Sequence, residues 1–301
     1  MQKVLLLGGN GFLGNHILKR LVKLNAEVII VGRKSLNIKN DDFQSLTIDL
    51  TLAHDINKNL PTDFTHIINT SGSIEHSLYF EGGDSIFDAH FLGLKNVINH
   101  IDRSCLERFI QIGSSDEYGS NAIHTNESIM AQSFSPYSLG KNFATQFIKY
   151  LSDHEDFPGV VLRLFLFYGP GQKLNRFLPS IVDSCLRDQI FPVSLGEQLR
   201  DFCYVEDIAD AIIQTMTAKN LDGEIINLGS GQGVSIKEMV IRVQKIIGLG
   251  TPDIGALDYR KGENMKLIAD IKKANSLLDW RATTSLENGL KKTIAYYQNN
   301  E

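Results

Sequence analysis

Through the first two thirds of the chain, short apolar, β-branched runs alternate with longer stretches whose apolar residues recur at three- and four-residue spacing. The short runs, Lys3–Leu7, Glu27–Val31, Ser45–Ile48, His66–Asn69, Arg108–Ile112 and Val160–Leu164, predict strands buried on both faces. Between them, Phe12–Leu24, Ile86–Ile101 and Pro136–Leu151 carry helical spacing. Repeated β-α-β units imply an α/β fold of the Rossmann type, a doubly wound parallel sheet with helices on both faces.

After Gly169-Pro-Gly171 the texture changes. Phe177–Arg187 predicts a helix, Ile190–Val193 a strand, Val205–Thr217 a helix and Gly223–Leu228 another buried strand. A Gly-Ser-Gly-Gln-Gly loop then leads to a helix opened by Ser235, with Glu238 at capping-box spacing. Two further helical stretches lie around Asp270–Leu278 and Leu286–Gln298. The pattern divides into a dinucleotide-binding domain over 1–168, to which segments near 201–228 return, and a smaller C-terminal α/β substrate lobe formed mainly by 169–301. A ligand cleft is expected between them, beyond the carboxyl ends of the strands.

Composition narrows the partners. The 301 residues are 43% hydrophobic, enough for a large core, and carry a formal net charge of −5. That balance offers no attraction to nucleic acid or an anionic membrane, so an anionic ligand must be held by local cations. The opening Met1-Gln-Lys-Val-Leu-Leu-Leu-Gly-Gly is too short an apolar run for a signal peptide, and no later run reaches membrane-spanning length. A cytoplasmic protein is expected. Cys105, Cys185 and Cys203 are odd in number and lack His or Cys at ligand spacing, which predicts reduced, mostly buried thiols and neither disulfides nor a metal site.

Gly8-Gly-Asn-Gly11-Phe-Leu-Gly14 follows the first strand and opens the first helix, the context of a dinucleotide-binding loop. Gly8 and Gly11 let the backbone approach a pyrophosphate, and Gly14 lets helix and strand pack closely. The helix N-terminus, with Phe12 and Leu13 in its first turn, then directs N–H groups at the anion. The second strand ends in Val31-Gly-Arg33-Lys34, where an acidic residue would contact the ribose hydroxyls of NAD. A guanidinium there suits a 2′-phosphate, so NADP(H) is favoured and NAD(H) is the alternative. Asp49-Leu50, after the third strand, is placed to accept the adenine amino group.

Tyr137 and Lys141 lie one helical turn apart in Ser135-Pro-Tyr-Ser-Leu-Gly-Lys141, downstream of Gly113-Ser-Ser-Asp-Glu-Tyr-Gly119. A tyrosine ionises near pH ~10, and a fixed cation beside it favours the phenolate. The pairing predicts a phenol able to exchange a proton with a substrate oxygen near neutral pH.

Gly8–Gly14, Ser114, Tyr137 and Lys141 in this order resemble the extended short-chain dehydrogenase/reductase family, in its nucleotide-sugar epimerase, dehydratase and reductase branch. Leu162-Arg-Leu-Phe-Leu-Phe-Tyr-Gly-Pro-Gly171, Arg200-Asp-Phe-Cys-Tyr-Val-Glu-Asp-Ile-Ala209, Asn227-Leu-Gly-Ser-Gly231 and Arg260-Lys-Gly-Glu263 extend the resemblance over nearly the whole chain. It implies Tyr137 as acid/base, Lys141 on the nicotinamide ribose and lowering the tyrosine pKa, and Ser114 on the reacting oxygen. Ser114 is preferred to Ser115 because it lies four residues before Tyr118-Gly119. The resemblance also implies Ser71 and Gly72 along the cofactor, and Arg200 and Arg260 on the diphosphate of a nucleotide-sugar. Arg176, near the start of the second lobe, joins them as a third guanidinium suited to a diphosphate. A homodimer through the helical patterns at Ile86–Ile101 and Pro136–Leu151 is a further expectation.

Departures from the family pattern bear on the reaction. Register from Tyr118-Gly119 puts Ser115 and Asp116 at the two acid-bearing positions of a dehydratase, while a one-residue shift would restore Ser-Asp-Glu. Asp116 remains a candidate acid near the sugar. Leu166 replaces an asparagine that contacts the nucleotide-sugar, and His90 replaces a structural asparagine and is read as hydrogen-bonded and structural. His76 and His124 carry no signature. Arg33 tips the choice toward NADPH-dependent reduction of an NDP-4-keto-6-deoxyhexose. The alternatives are an NAD-dependent 4,6-dehydratase or 4-epimerase, and a cofactor-binding regulator without turnover.

Overall fold

Alternate residues of the first strand, β1 (Lys3–Leu7), enter two different cores. Val4 and Leu6 join one apolar cluster, Leu5 and Leu7 the other, which is why the run reads as continuously hydrophobic. The structure is a computed structural model that describes residues 2–34, 42–119, 125–259 and 263–299.

After β1 come α1 (Phe12–Lys23), β2 (Glu27–Gly32), β3 (Gln44–Thr47), α2 (Ala53–Asn59) and β4 (His66–Asn69). Next are α3 (Gly83–His90), α4 (Leu92–His100), β5 (Arg108–Ser114), α5 (Pro136–His154), β6 (Gly159–Leu164) and β7 (Phe167–Tyr168). The later part comprises α6 (Phe177–Leu186), β8 (Ile190–Val193), β9 (Leu199–Asp201), β10 (Cys203–Tyr204), α7 (Val205–Thr217) and β11 (Ile225–Leu228). It continues through β12 (Gly233–Ser235), α8 (Ile236–Ile247), β13 (Thr251–Ile254), β14 (Lys266–Leu267), α9 (Lys272–Leu278) and α10 (Leu286–Gln298).

Seven parallel strands form one sheet in the order β11-β6-β5-β4-β1-β2-β3. The α/β, Rossmann-type expectation is met. The order reverses between β1 and β4, so the loops after these two strands open a crevice at their carboxyl ends. Helices α1 and α7 cover one face through Ile17, Leu21, Ile208 and Ile212, and α4 and α5 cover the other through Leu94, Val97, Ala144 and Ile148. A third core joins α6, α8 and α10 through Val182, Met239, Val243 and Leu290. Among the described residues no helix is long and apolar enough to cross a membrane.

Three elements depart from the sequence expectations. The single helix expected over Ile86–Ile101 is two, meeting at Phe91 (φ −102°, ψ −52°), because its halves have different partners: α3 packs on α5 and α4 on α2. Strand β3 is not buried on both faces, since it forms the sheet edge and its end residues are exposed. Ser235 caps α8 by accepting the Glu238 N–H at 3.0 Å, but the Glu238 carboxylate turns away to Arg242 at 2.6 Å, so the reciprocal half of the capping box is missing. Of the three thiols, Cys185 and Cys203 are buried and Cys105 is exposed, which agrees with the expectation of mostly buried thiols.

Candidate active site

The glycine loop after β1 is closed by its own backbone. Gly8, at φ +78°, donates its N–H to Val31 O at 2.8 Å, and Gly11 donates to Gly8 O at 2.8 Å. A Cβ on Gly14 would stand 2.3 Å from Gly8 O, so helix α1 reaches the strand this closely only without a side chain there. Gly11 is the N-cap of α1 and offers no side-chain cap, and the first turn has no acidic residue. The N–H groups of that turn are therefore presented to the crevice with a partial positive charge. Phe12 stacks on Phe167 (centroids 5.7 Å apart) and Leu13 is buried, so both can serve a ligand here only through their backbone. Asn10 donates to Lys34 O at 2.9 Å and leaves its Oδ1 buried without a partner. An uncapped helix start and a glycine cradle at one spot fit a pyrophosphate-bearing ligand.

Arg33 and Lys34 are exposed just beyond β2. Asp49 lies within the field of Arg33, but its Oδ1 is taken by the Thr51 N–H (2.9 Å) and hydroxyl (2.7 Å). These bonds, and more weakly Arg33, hold its carboxyl below the usual range. The Leu50 carbonyl accepts the Asn96 amide at 3.0 Å. Across the crevice, Ser71 donates both N–H and hydroxyl to Asn69 Oδ1, at 3.1 and 2.6 Å. Gly72 (φ +137°) has no room for a Cβ, which would lie 2.1 Å from the ring of His90. His90 is buried and its Nε2 meets Ser73 O at 2.8 Å, the hydrogen-bonded placement expected of it. Burial, with Lys141 nearby, pulls its pKa down to about 3, so the ring is neutral.

Ser114 ends β5 and caps the short 3-10 turn that follows, accepting the Asp116 N–H at 3.2 Å. Helix α5 starts from a Ser135/Ser138 capping box with Pro136 in its first turn, which aims Tyr137 back toward Ser114. The two side chains interact, and the rings of His76 and His90 pack against Tyr137 at 4.9 and 5.0 Å. Lys141 is 5% exposed and donates Nζ to Ile112 O at 2.7 Å.

The electrostatics correct one expectation. Tyr137 is held above the ordinary tyrosine range, first by burial and then by Asp116, while Ser114 pulls the other way. Lys141 is not among the groups that act most on it. The ammonium is instead committed to a backbone carbonyl and is itself drawn down by burial to about 8, against the opposing pull of Glu117. At neutral pH these shifts make Tyr137 a neutral phenol and Lys141 a cation close to its limit.

The arginines expected on a diphosphate are partly gathered. Arg176 (the N-cap of α6) and Arg200 (on β9) both act on Asp116, whose half-buried carboxyl burial raises above the usual range. Arg200 is paired with Glu263 and donates to Leu199 O at 2.9 Å. Arg260 and His124 lie outside the described residues. Leu166 packs against the third apolar core.

The register question around Asp116-Glu117 has a structural answer. Glu117 is fully buried, with Oε1 on the Ser114 N–H at 2.8 Å and Oε2 on Arg163 Nε at 2.9 Å, so it does not face the cleft as an acid. Ser115 is buried too, which leaves Asp116 as the carboxyl of this segment beside Tyr137. Two participants escaped sequence reasoning. His76 gave no motif, though its position on the loop after β4 puts it at the crevice. Arg163 was legible only as a charge inside the apolar run Leu162–Leu164, a pattern that demands a buried partner.

Residues 4–229 match the model of the NAD dependent epimerase/dehydratase family. Over 99% of both chains the protein is 30% identical to a Methanocaldococcus jannaschii protein named "Putative UDP-glucose 4-epimerase". Among solved structures, MoeE5 in complex with UDP-glucuronic acid and NAD is 25% identical with a TM-score of 0.87, covering 99% of this chain and 100% of that one. The UDP-glucose 4-epimerase of Thermotoga maritima shares the fold at 22% identity and a TM-score of 0.89, covering 99% of each chain. With the glycine loop, the Ser114–Tyr137–Lys141 constellation and a family match across three quarters of its length, the chain belongs to the NAD-dependent epimerase/dehydratase family of enzymes.

Proposed function

We propose that the protein inverts the C4 hydroxyl of a UDP-sugar by oxidation and re-reduction at that carbon. The observation that carries this reading is the meeting of Ser114 and Tyr137 beside the glycine loop, with Glu117 locked to Arg163 and Ser115 buried. Elimination of water needs an acid and a base besides the tyrosine, and Asp116 alone is placed for either. Hydride transfer with one proton shuttle needs only the set that is present. The full-length relative named for 4-epimerisation supports the reading, as does the neighbour bound to UDP-glucuronic acid and NAD.

A bound nicotinamide dinucleotide supplies hydride acceptance and return, and its oxidised ring adds positive charge. Tyr137, its pKa raised in the free site, must first give up its own proton, which the added positive charge of the bound ring favours; as phenolate it takes the proton of the sugar hydroxyl and returns it, and Ser114 donates a hydrogen bond to the oxygen as charge develops there. Lys141 keeps two N–H donors beyond the one given to Ile112 O, which suit ribose hydroxyls. Gly8, Gly11 and Gly14, with the first-turn N–H groups, hold the pyrophosphate, and Ser71 and Gly72 flank it. Arg176, Arg200 and Arg260 take the substrate diphosphate, with Arg200 leaving Glu263 to do so. Phe143 and Tyr150, exposed seven residues apart on α5, support a homodimer through this face.

Incubation with UDP-glucose or UDP-galactose and NAD, followed by nuclear magnetic resonance of the sugar, tests the proposal. Interconversion supports it, and unchanged sugars in both directions sink it. The second reading is net reduction of an NDP-4-keto-6-deoxyhexose by NADPH, favoured by exposed Arg33 and Lys34 at the end of β2 and by a tyrosine held protonated. Stoichiometric loss of NADPH absorbance with the keto sugar would establish that reading instead, and Arg33→Ala should then shift preference toward NADH.

Two further results are expected. Gly14→Ala forces helix α1 away from Gly8 O, and dinucleotide affinity measured by fluorescence titration should fall roughly tenfold or more, equal to about 1.4 kcal/mol. Activity should decline as pH rises through about 8, because Lys141 is charged below that value and neutral above it. A pH profile of kcat/KM that stays flat to pH 10 would remove Lys141 from the mechanism.

A further inference from the structure

Behind Ser114 lies a buried ion pair that takes no part in hydride or proton transfer. Glu117 spends its two oxygens on three separate elements. Oε1 accepts the backbone N–H of Ser114 at the end of β5 (2.8 Å). Oε2 accepts the Thr145 hydroxyl of α5 (2.8 Å) and Nε of Arg163 on β6 (2.9 Å). Thr145 is one helical turn beyond Lys141 and shares its face. Gly113 makes room for the carboxylate, since a Cβ there would stand 2.7 Å from Oε1. Arg163 in turn lies over the Tyr118 ring at 4.6 Å, and Tyr118 donates to Asn227 Oδ1 at 2.7 Å.

We propose that Glu117 is a positioning residue, which fixes Ser114 to the helix carrying Tyr137 and Lys141. The proposal rests on the roles assigned above to those three side chains. A carboxylate shared between a strand end and a helix holds both at one separation, and a loose Ser114 would lose its aim at the reacting oxygen. Lys141 feels the charge of Glu117 from the turn after β5 and itself acts on His90 of α3. Glu117 is faced by Arg163 of β6, and its charge acts on Asp116 beside it and on Tyr137 and Lys141 of α5. His90 is neutral, so Glu117 supplies the negative charge opposing the burial of Lys141.

The test needs neither sugar nor dinucleotide. The titration of Lys141 is followed by nuclear magnetic resonance of 13C-labelled lysine, its signal assigned by loss in Lys141→Arg. A Glu117→Gln, Arg163→Met double variant removes both buried charges together, so that neither is stranded. Its Lys141 midpoint should fall by about one pH unit, a tenfold change in ionisation constant. In Glu117→Asp the charge stays but the shorter carboxylate withdraws from the Ser114 N–H. Hydrogen exchange at that amide should then speed up by about tenfold or more, with the Lys141 midpoint unmoved. Unchanged Ser114 protection in both variants overturns the proposal; faster exchange, with the lowered Lys141 midpoint confined to the double variant, supports it. Failure of the UDP-sugar reading would appear separately, as absent turnover by the unaltered protein.

Discussion

Tyr137→Phe is expected to lower kcat by about a thousandfold while the dinucleotide still binds, within the range that a single general acid/base contributes. The substitution removes one oxygen and little else. The ring keeps its packing against His76 and His90, and the helix start keeps its Ser135/Ser138 box. Ser114 cannot take over the proton, because its hydroxyl is also the cap of the turn that follows and has no base behind it. Asp116 lies close enough to act on Tyr137, yet burial keeps its carboxyl above the usual range and its field is shared with Arg176, Arg200 and His76. Steady-state rates, with a parallel cofactor titration, decide the matter. Near-normal turnover by the phenylalanine variant would transfer the acid/base role to Asp116 or His76.

Arg163→Ala should cost about 3–5 kcal/mol of folding stability, the toll of leaving one member of a buried ion pair alone. Arg163 is 2% exposed and Glu117 0%, so the substitution leaves the carboxylate without its charged partner in a site away from bulk water. The loss also empties the space over Tyr118, where the guanidinium sits 4.6 Å from the ring centroid. Ser114 N–H and the Thr145 hydroxyl remain as partners, but both are neutral. Denaturant unfolding at neutral pH measures the change. A shift under about 1 kcal/mol would mean that the Glu117–Arg163 pair does not hold this site together.

Periodicity carries much of this fold on its surface. The alternation that sends Val4 and Leu6 to one core and Leu5 and Leu7 to the other is visible as an unbroken apolar run, and the glycine loop marks where the sheet opens. The serine, tyrosine and lysine were legible from spacing and order. What escaped depends on neighbours remote in the chain. Glu117 meets Arg163 across 46 residues, and no local pattern distinguishes it from Asp116 next to it, which faces the cleft. The turn at Phe91 is set by which helices flank each half, and Glu238 abandons its capping role because Arg242 stands one turn along. The direction of the Tyr137 shift was misread because spacing reports which charges are near, whereas burial decides how strongly ionisation is opposed.

Lys141 also links the fold to the proton concentration. In the unfolded chain its amine would hold a proton up to about 10.5, while in the folded interior it releases one near 8. Between those values unfolding takes up a proton, so this residue's contribution to stability becomes more favourable as pH rises across the window. Below it the ammonium is buried at an expense of about 3 kcal/mol, borne by the rest of the hydrophobic core. Through this residue the fold gains stability in the alkaline range in which turnover is expected to fade, and the same amine sets both slopes.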